Sequence, residues 1–222
     1  MPGQNSATSS SPMNPEIRVA FEDEHLLVAW KPHGILTSGN SGKTFRWHVR
    51  KMTGSNLIEP CHRLDFATSG WVIFGKNMAA IRAVNDAFRV GSIRKKYWAI
   101  CHGILPQKLI INLPLDGKPS ASIVRAKAQG TLAQSDDLTA AVIETLSGRT
   151  HQIRRHLMAA GHAIVGDDKF HPPSGIYKGR GLFLSAHHLA FSHPIAGNPM
   201  EFKTLPSKKF TSIPWIHQVL NQ

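Results

Sequence analysis

His62-Arg63-Leu64-Asp65-Phe66-Ala67-Thr68-Ser69-Gly70, running directly into the apolar segment Trp71–Phe74, is the stretch on which the reading of this chain turns. The apolar run is too short for a helix and suits a buried strand, so the residues ahead of it form a loop leading into a sheet. That loop sets one carboxylate, Asp65, between the basic pair His62-Arg63 and the turn Thr68-Ser69-Gly70. Cationic neighbours and turn hydroxyls favour an ionised carboxyl and hold it in one orientation, as nucleophilic or general-base chemistry requires. A loop Asp is more often a cap or a solvated charge. The weight therefore falls on a distant second segment, Ser147-Gly148-Arg149-Thr150-His151-Gln152-Ile153-Arg154-Arg155-His156, whose arginines can supply the counter-charge.

Outward from the loop, strands and helices alternate. Ile17–Ala20 and Leu26–Trp30 read as strands, and Lys31-Pro32-His33-Gly34 then bends the chain and leaves Lys31 exposed at a strand end. Phe45, Val49 and Met52 recur at helical spacing, with Arg46, Arg50 and Lys51 on the opposite face as a phosphate-facing surface. Ile81, Val84 and Phe88 mark a second helix, capped by Asn77 and ended at Gly91. After the basic run Arg94-Lys95-Lys96, Tyr97–Cys101 alternates as a strand that turns Tyr97 toward a pocket while Trp98 packs. Strands with long hairpin loops fill 106–137, and Ala140–Thr145 delivers the chain to Gly148-Arg149-Thr150. Thr150 is expected to cap a helix that buries Ile153, Leu157 and Ala160 and leaves His151, Arg154 and Arg155 more exposed. Leu182–Phe191 and Met200–Lys203 are late strands about a turn at His193–Asn198. The whole is expected to be one α+β domain over 17–222, behind a disordered Ser-rich tail at 1–16.

A chain of 222 residues with 41% hydrophobic content can bury a sizeable core, and its 26 Lys+Arg against 14 Asp+Glu give a formal charge of +12. Such a surface attracts polyanions, so nucleic acid is the leading partner class. Cys61 and Cys101 carry no CxxC or zinc pattern, which fits a reducing cytoplasm, and no apolar run approaches the roughly 18 residues of a membrane span. The histidines are scattered, with His151 and His156 too far apart to share a helix face as metal ligands do, so no metal is expected. No glycine arrangement makes a phosphate loop, so ATP and dinucleotide use are unsupported. Asp167-Asp168 is the other acidic pair of note, a weak candidate for the second carboxylate that a glycosidase places about 5–9.5 Å from the first.

These segments resemble the RluA family of RNA pseudouridine synthases, whose His-Arg-Leu-Asp-x-x-Thr-Ser-Gly hallmark stands complete at 62–70. Phe21-Glu-Asp-Glu with Lys31-Pro32-x-Gly34 is similar to the family's opening, and Lys96-Tyr97-x-Ala99 with Gly103 to its tyrosine strand. Gly148–Arg154 with Gly161-His162-x-Ile164-x-Gly166-Asp167 is similar to its arginine segment, so the likeness runs over roughly 17–205. The resemblance implies a large mixed, mainly antiparallel sheet with the cleft across it, Asp65 as catalytic aspartate, Arg149 as its ion-pair partner, and Tyr97 beneath the target base. It further implies that Arg63 fills the gap left by a flipped uridine and that Leu184 lines the uracil pocket. His62, Thr68 and Arg154 complete the substrate-binding set. At Ser185 the chain departs from the pattern, where a His often precedes the Ala. The reaction so implied needs no cofactor. The implied partner is structured RNA, bound by a monomer with no S4 module ahead of residue 17. Arg154-Arg155-His156, Gly166–Lys169 and the insert 170–181 resemble the TruC-like tRNA-modifying branch, so tRNA is expected before rRNA, while 113–137 is short for the family's RNA-gripping loops. A non-catalytic RNA-binding protein of the same fold is the alternative.

Overall fold

The computed structural model describes residues 17–40, 42–132, 137–171 and 181–220, apart from the side chain of 218. The tail 1–16 and residues 172–180 of the late insert lie outside them.

The chain opens with β1 (Arg18–Glu22) and β2 (Leu26–Lys31), an antiparallel hairpin turned by Asp23, whose carboxylate accepts the backbone N–H groups of His25 and Leu26. Helix α1 (Phe45–Thr53) follows, its N-terminus capped by the Thr44 hydroxyl and its end closed by Gly54 in the left-handed region. The short β3 (Glu59–Pro60) leads to β4 (Ser69–Gly75), and Asn77 caps α2 (Met78–Arg89) as its position before the apolar repeat predicts. Strands β5 (Arg94–His102), β6 (Lys108–Asn112), β7 (Ala121–Gly130) and β8 (Leu138–Thr145) form an antiparallel run. Helix α3 (Gln152–Ala159) precedes β9 (Leu184–Ser192) and β10 (Pro199–Lys203). Two helices without a counterpart in the sequence reading, α4 (Lys208–Thr211) and α5 (Pro214–Leu220), end the described chain.

All ten strands share one sheet in the order β1-β2-β4-β9-β5-β8-β7-β6, with β10 beside β9 and β3 beside β4. The expected α+β class and mixed sheet hold. Alternation along each strand divides the core between the two faces. Leu27, Ala29, Val72 and Phe74 join α1 through Phe45 and Val49, α3 through Ile153 and Leu157, and α4–α5 through Phe210, Ile213 and Ile216. Leu26, Val28, Trp71 and Ile73 face the other way onto Ala80 and Val84 of α2. Coverage of both faces explains why β4 is buried at every position and reads as a continuous apolar run.

The parallel pairing in the sheet joins β4 to β9, Ser69 opposite Ser185 and Gly70 opposite Ala186. The serine hydroxyls lie 3.2 Å apart within hydrogen-bonding reach, so Ser185 serves as a strand-to-strand tie. Gly70, at φ 153°, has no room for a side chain: a Cβ there would lie 2.4 Å from Ala186 Cβ and 2.5 Å from its carbonyl oxygen. Gly70→Ala should therefore lower stability by about 2–4 kcal/mol through overpacking and backbone strain together. Gly91, with φ 76° and open space, should lose only about 1 kcal/mol as Ala. Urea midpoints at unchanged slope measure both, and equal losses would contradict the packing argument.

Candidate active site

Asp65 is fixed by backbone bonds on either side of it. Thr37 Oγ1 donates to Leu64 O at 2.9 Å and accepts Leu64 N–H at 3.1 Å, while Gly34 N–H reaches Phe66 O at 2.8 Å. Thr68 N–H closes the turn on Asp65 O at 3.1 Å. Behind the loop, His62 Nε2 accepts Ile73 N–H from β4 at 3.1 Å, and its ring lies 4.9 Å from that of Phe88 on α2. Burial, helped by nearby Lys95, pushes the His62 pKa down to about 3, so the imidazole is neutral. His62 is thus a strut rather than a cationic neighbour of Asp65. The Thr68 hydroxyl is buried and makes no hydrogen bond among the described residues, so it does not reach the carboxylate either.

Lys31 is buried completely, not exposed. Its Nζ donates to Pro32 O and Ile35 O, each at 2.8 Å, and approaches Phe66 O at 3.5 Å, lashing the 32–35 bend to the Asp65 loop. Burial drives its pKa down to about 7 against the opposing pull of Asp65. The sequence signal was the Lys-Pro-x-Gly bend itself: a bend that carries its cation inward to satisfy the bend's own carbonyls.

The counter-charge comes from the predicted segment but from a different arginine. Arg154 Nη1 lies 3.9 Å from Asp65 Oδ2, whereas Arg149 directs Nε and Nη2 to Pro119 O, 3.3 Å each. The expected Arg149–Asp65 ion pair is thus replaced by Arg154. The cause is the start of α3. Thr150 does not cap it; His151 does so by position, with φ 54° and no side-chain cap bond. Gln152 holds the preceding loop instead, its Oε1 accepting Ser147 Oγ–H at 2.7 Å and Arg149 N–H at 3.0 Å while its Nε2 donates to Ala121 O at 2.9 Å. With the helix set in that phase, Arg154 faces inward at 6% side-chain exposure and forks onto Asp167, both N···O distances 2.7 Å. Burial pushes the Asp167 carboxyl up, but Arg154 and the backbone N–H groups of Phe170 and Lys169 outweigh it and hold the pKa below its usual value. Asp167 is a buried brace for Arg154, with no place in a glycosidase pair. His151, to which the sequence reading assigned no role, puts Nδ1 3.0 Å from Asp65 Oδ2.

Asp65, Arg149, His151 and Arg154 line a cleft of about 550 Å³, with Tyr97 and Leu184 in its wall. Tyr97 stands where the β5–β9 register slips, β9 using one residue more than β5 between Lys96–His188 and Trp98–Ser185. Such a bulge re-aims a side chain. Burial, and then Asp65, raise the Tyr97 hydroxyl above its ordinary pKa, so it remains an O–H. Cys61 also lines the cleft, but burial lifts its thiol to about 12 and leaves it unreactive.

The three basic clusters do not all converge. Arg63, Arg89, Arg94, Lys95, Arg149 and Arg154 line the cleft. The 46–51 group does not: Arg46 and Arg50 pair with Glu59, and Lys51 sits over the Trp47 ring at 5.2 Å. Arg155 pairs with Asp116 at 2.9 Å, pinning the 113–120 loop. Among the described residues there is no cluster able to hold a metal, and no helix is long and apolar enough to cross a membrane.

Arg154→Met would leave Asp167 buried without its cation and should cost about 3–5 kcal/mol near neutral pH. Because the folded pKa of Asp167 lies below its usual 3.8, the stability it contributes is present above that value and lost as pH falls through the folded pKa. The stability gap between wild type and Arg154→Met should therefore narrow in acid. Arg149→Ala, at the rim, should change stability by less than about 0.5 kcal/mol. Urea unfolding across pH decides both, and a gap that does not change with pH would refute the pairing argument.

A family model described as RNA pseudouridylate synthase matches residues 25–159. The chain is 31% identical over 210 residues to the dual-specificity RNA pseudouridine synthase RluA of Pasteurella multocida (strain Pm70), covering 88% of this chain and 96% of that protein. It is 32% identical over 208 residues to the ribosomal large subunit pseudouridine synthase C of Vibrio vulnificus (strain CMCP6), covering 82% of this chain and 64% of that protein. Among solved structures, human RNA pseudouridylate synthase domain containing 1 superposes with a TM-score of 0.75 at 23% identity, over 93% of this chain and 95% of that one, a likeness of fold. The matched residues run from β2 to the end of α3 and take in the Asp65 loop, Tyr97 and the Arg154 helix: the chain belongs to the RluA family of RNA pseudouridine synthases, isomerases of uridine in RNA.

Proposed function

We propose that Asp65 is the catalytic residue of this isomerase and that tRNA is its first substrate, with rRNA second. The observation that carries the reading is the Asp65 carboxylate in a cleft lined by six Arg and Lys side chains, Arg154 nearest it, with Tyr97 and Leu184 in the same wall. A site meant only to bind a polyanion gains nothing from a carboxylate at its centre.

The chemistry assigns each group a task. The N1–C1′ bond of uridine breaks, the uracil turns within the pocket, C5 bonds to C1′, and the C5 proton is lost as N1 regains one, with no net redox change. Asp65 acts on the sugar, at C1′ or at the C2′ proton. Unstacking the target base costs a few kcal/mol. Arg63, exposed at the cleft mouth, fills the space that the base leaves, and Arg94, Lys95 and Arg149 meet phosphates around it. Tyr97 provides the ring beneath the uracil, and its raised pKa makes it a hydrogen-bond donor rather than a phenolate base. Leu184, nearly fully buried, supplies the apolar wall. His62 and Thr68 serve from behind, by holding the loop.

A relative named for dual specificity, matched over 96% of its length, supports a substrate range wider than one RNA. Asp65→Asn should abolish pseudouridine formation while RNA affinity stays within about threefold, since the change is nearly isosteric. Turnover by that variant would refute the assignment. Pseudouridine mapping of tRNA and rRNA fractions with and without the gene should show loss first in tRNA; loss confined to rRNA would reverse the substrate order.

A further inference from the structure

Two groups converge on one oxygen of Asp65. His151 Nδ1 is 3.0 Å from Oδ2 and Arg154 Nη1 is 3.9 Å from the same atom; neither contact falls on Oδ1. Arg154 Nη1 also lies 3.2 Å from His151 Nδ1, so the imidazole nitrogen stands between a donor and a carboxylate. It satisfies only one of them. With a lone pair on Nδ1 it would accept from Arg154 and face the carboxylate oxygen acceptor to acceptor. With a proton it donates to a full negative charge, the stronger, charge-assisted choice. Arg154 loses little, because its other nitrogens are already committed to Asp167 and Asp168 at 2.7–3.4 Å.

The backbone is arranged for this contact. His151 is one of two described non-glycine residues with positive φ, at 54°, and takes that conformation as the residue that opens α3, its carbonyl accepting Arg155 N–H at 2.9 Å. Non-glycine residues seldom adopt it, His, Asn and Asp less seldom than most, and it persists where surrounding structure imposes it. Here Gln152 imposes it from the next position, while the Phe170 ring, 5.5 Å from the imidazole and 5.1 Å from the Arg154 guanidinium, walls off both.

We propose that His151 is a positioning residue of the reaction: as the Nδ1–H tautomer it holds Asp65 Oδ2, and with Arg154 it leaves Oδ1 as the oxygen that meets the ribose. This rests on the reading of Asp65 as the reacting carboxylate. The side chains of both residues are only partly exposed, 25% for His151 and 20% for Asp65, so the bond lies at the wall of the cleft with one carboxylate oxygen left for substrate.

The test uses the full chain and tRNA from cells lacking the gene. In His151→Ala the single-turnover rate at saturating enzyme should fall about 100-fold, the scale of losing one preorganised donor, with RNA Kd within about threefold. In His151→Asn, which suits positive φ and keeps an N–H near the Nδ1 position, the rate should return to within about tenfold of wild type. Wild-type rates in the Ala variant, an Asn variant no better than Ala, or a rate loss matched by the loss in Kd would each overturn the proposal. Long-range 1H–15N NMR of the free protein reads the tautomer directly. An Nδ1–H signal supports the bond, and the Nε2–H tautomer overturns it whatever the chain does to RNA. An active Asp65→Asn protein with His151 in the Nδ1–H form would instead sink the Asp65 assignment, and the positioning role with it, while leaving the hydrogen bond itself standing.

Discussion

The parallel contact of β4 with β9 is the constraint on which the site depends. In a sheet whose remaining pairings are antiparallel, Ser69–Gly70 and Ser185–Ala186 bring two strand beginnings side by side. A loop ahead of β4 and a residue at the head of β9 therefore emerge at one place. Asp65 and Leu184 share a cleft for this reason, although they are far apart in the chain. The approach is close enough that position 70 accepts no side chain, and the extra residue in β9 that follows the junction lies opposite Tyr97. Carboxylate, aromatic ring and apolar wall are thus set by one backbone juxtaposition.

Charge is layered around that juxtaposition. The inner layer is desolvated and paired: Lys31 against carbonyl oxygens and Phe66, Arg154 against Asp167. Removing a charge from water costs several kcal/mol unless hydrogen bonds replace the lost hydration, and each inner cation has at least two close acceptors. The outer layer, Arg63, Arg94 and Arg149, stays nearer to solvent, where unpaired cations are tolerated and a phosphate can exchange for water. Lys95 falls between the two, with burial lowering its pKa to about 8. Inner charges are paired around Asp65, and outer ones stay open to solvent.

Local rules carried the sequence reading a long way. Helix α2 begins after Asn77 because a capping amide precedes an apolar 3–4 repeat, and β4 is a strand because its apolar run is short and ends in glycine. The terminal helices α4 and α5 escaped notice because their apolar residues, Phe210, Ile213 and Ile216, acquire meaning only from the sheet face they cover. The basic face of α1 looked ready for phosphate until Glu59 of the neighbouring strand neutralised it.

The family, the loop that carries Asp65, the strand bearing Tyr97 and the segment from which the counter-charge comes were all legible in the sequence, since each depends on residues adjacent in the chain. Which arginine faces Asp65 was a tertiary decision. A left-handed His151 and a Gln152 anchored to β7 set the phase of α3, and that phase turned Arg154 inward and left Arg149 at the rim. Lys31 was decided the same way: a polar residue at a bend reads as solvated until the bend closes over it and offers its own carbonyls in place of water. Adjacency in sequence assigns a side chain's chemistry, but the direction it faces depends on which distant backbone completes its hydrogen bonds.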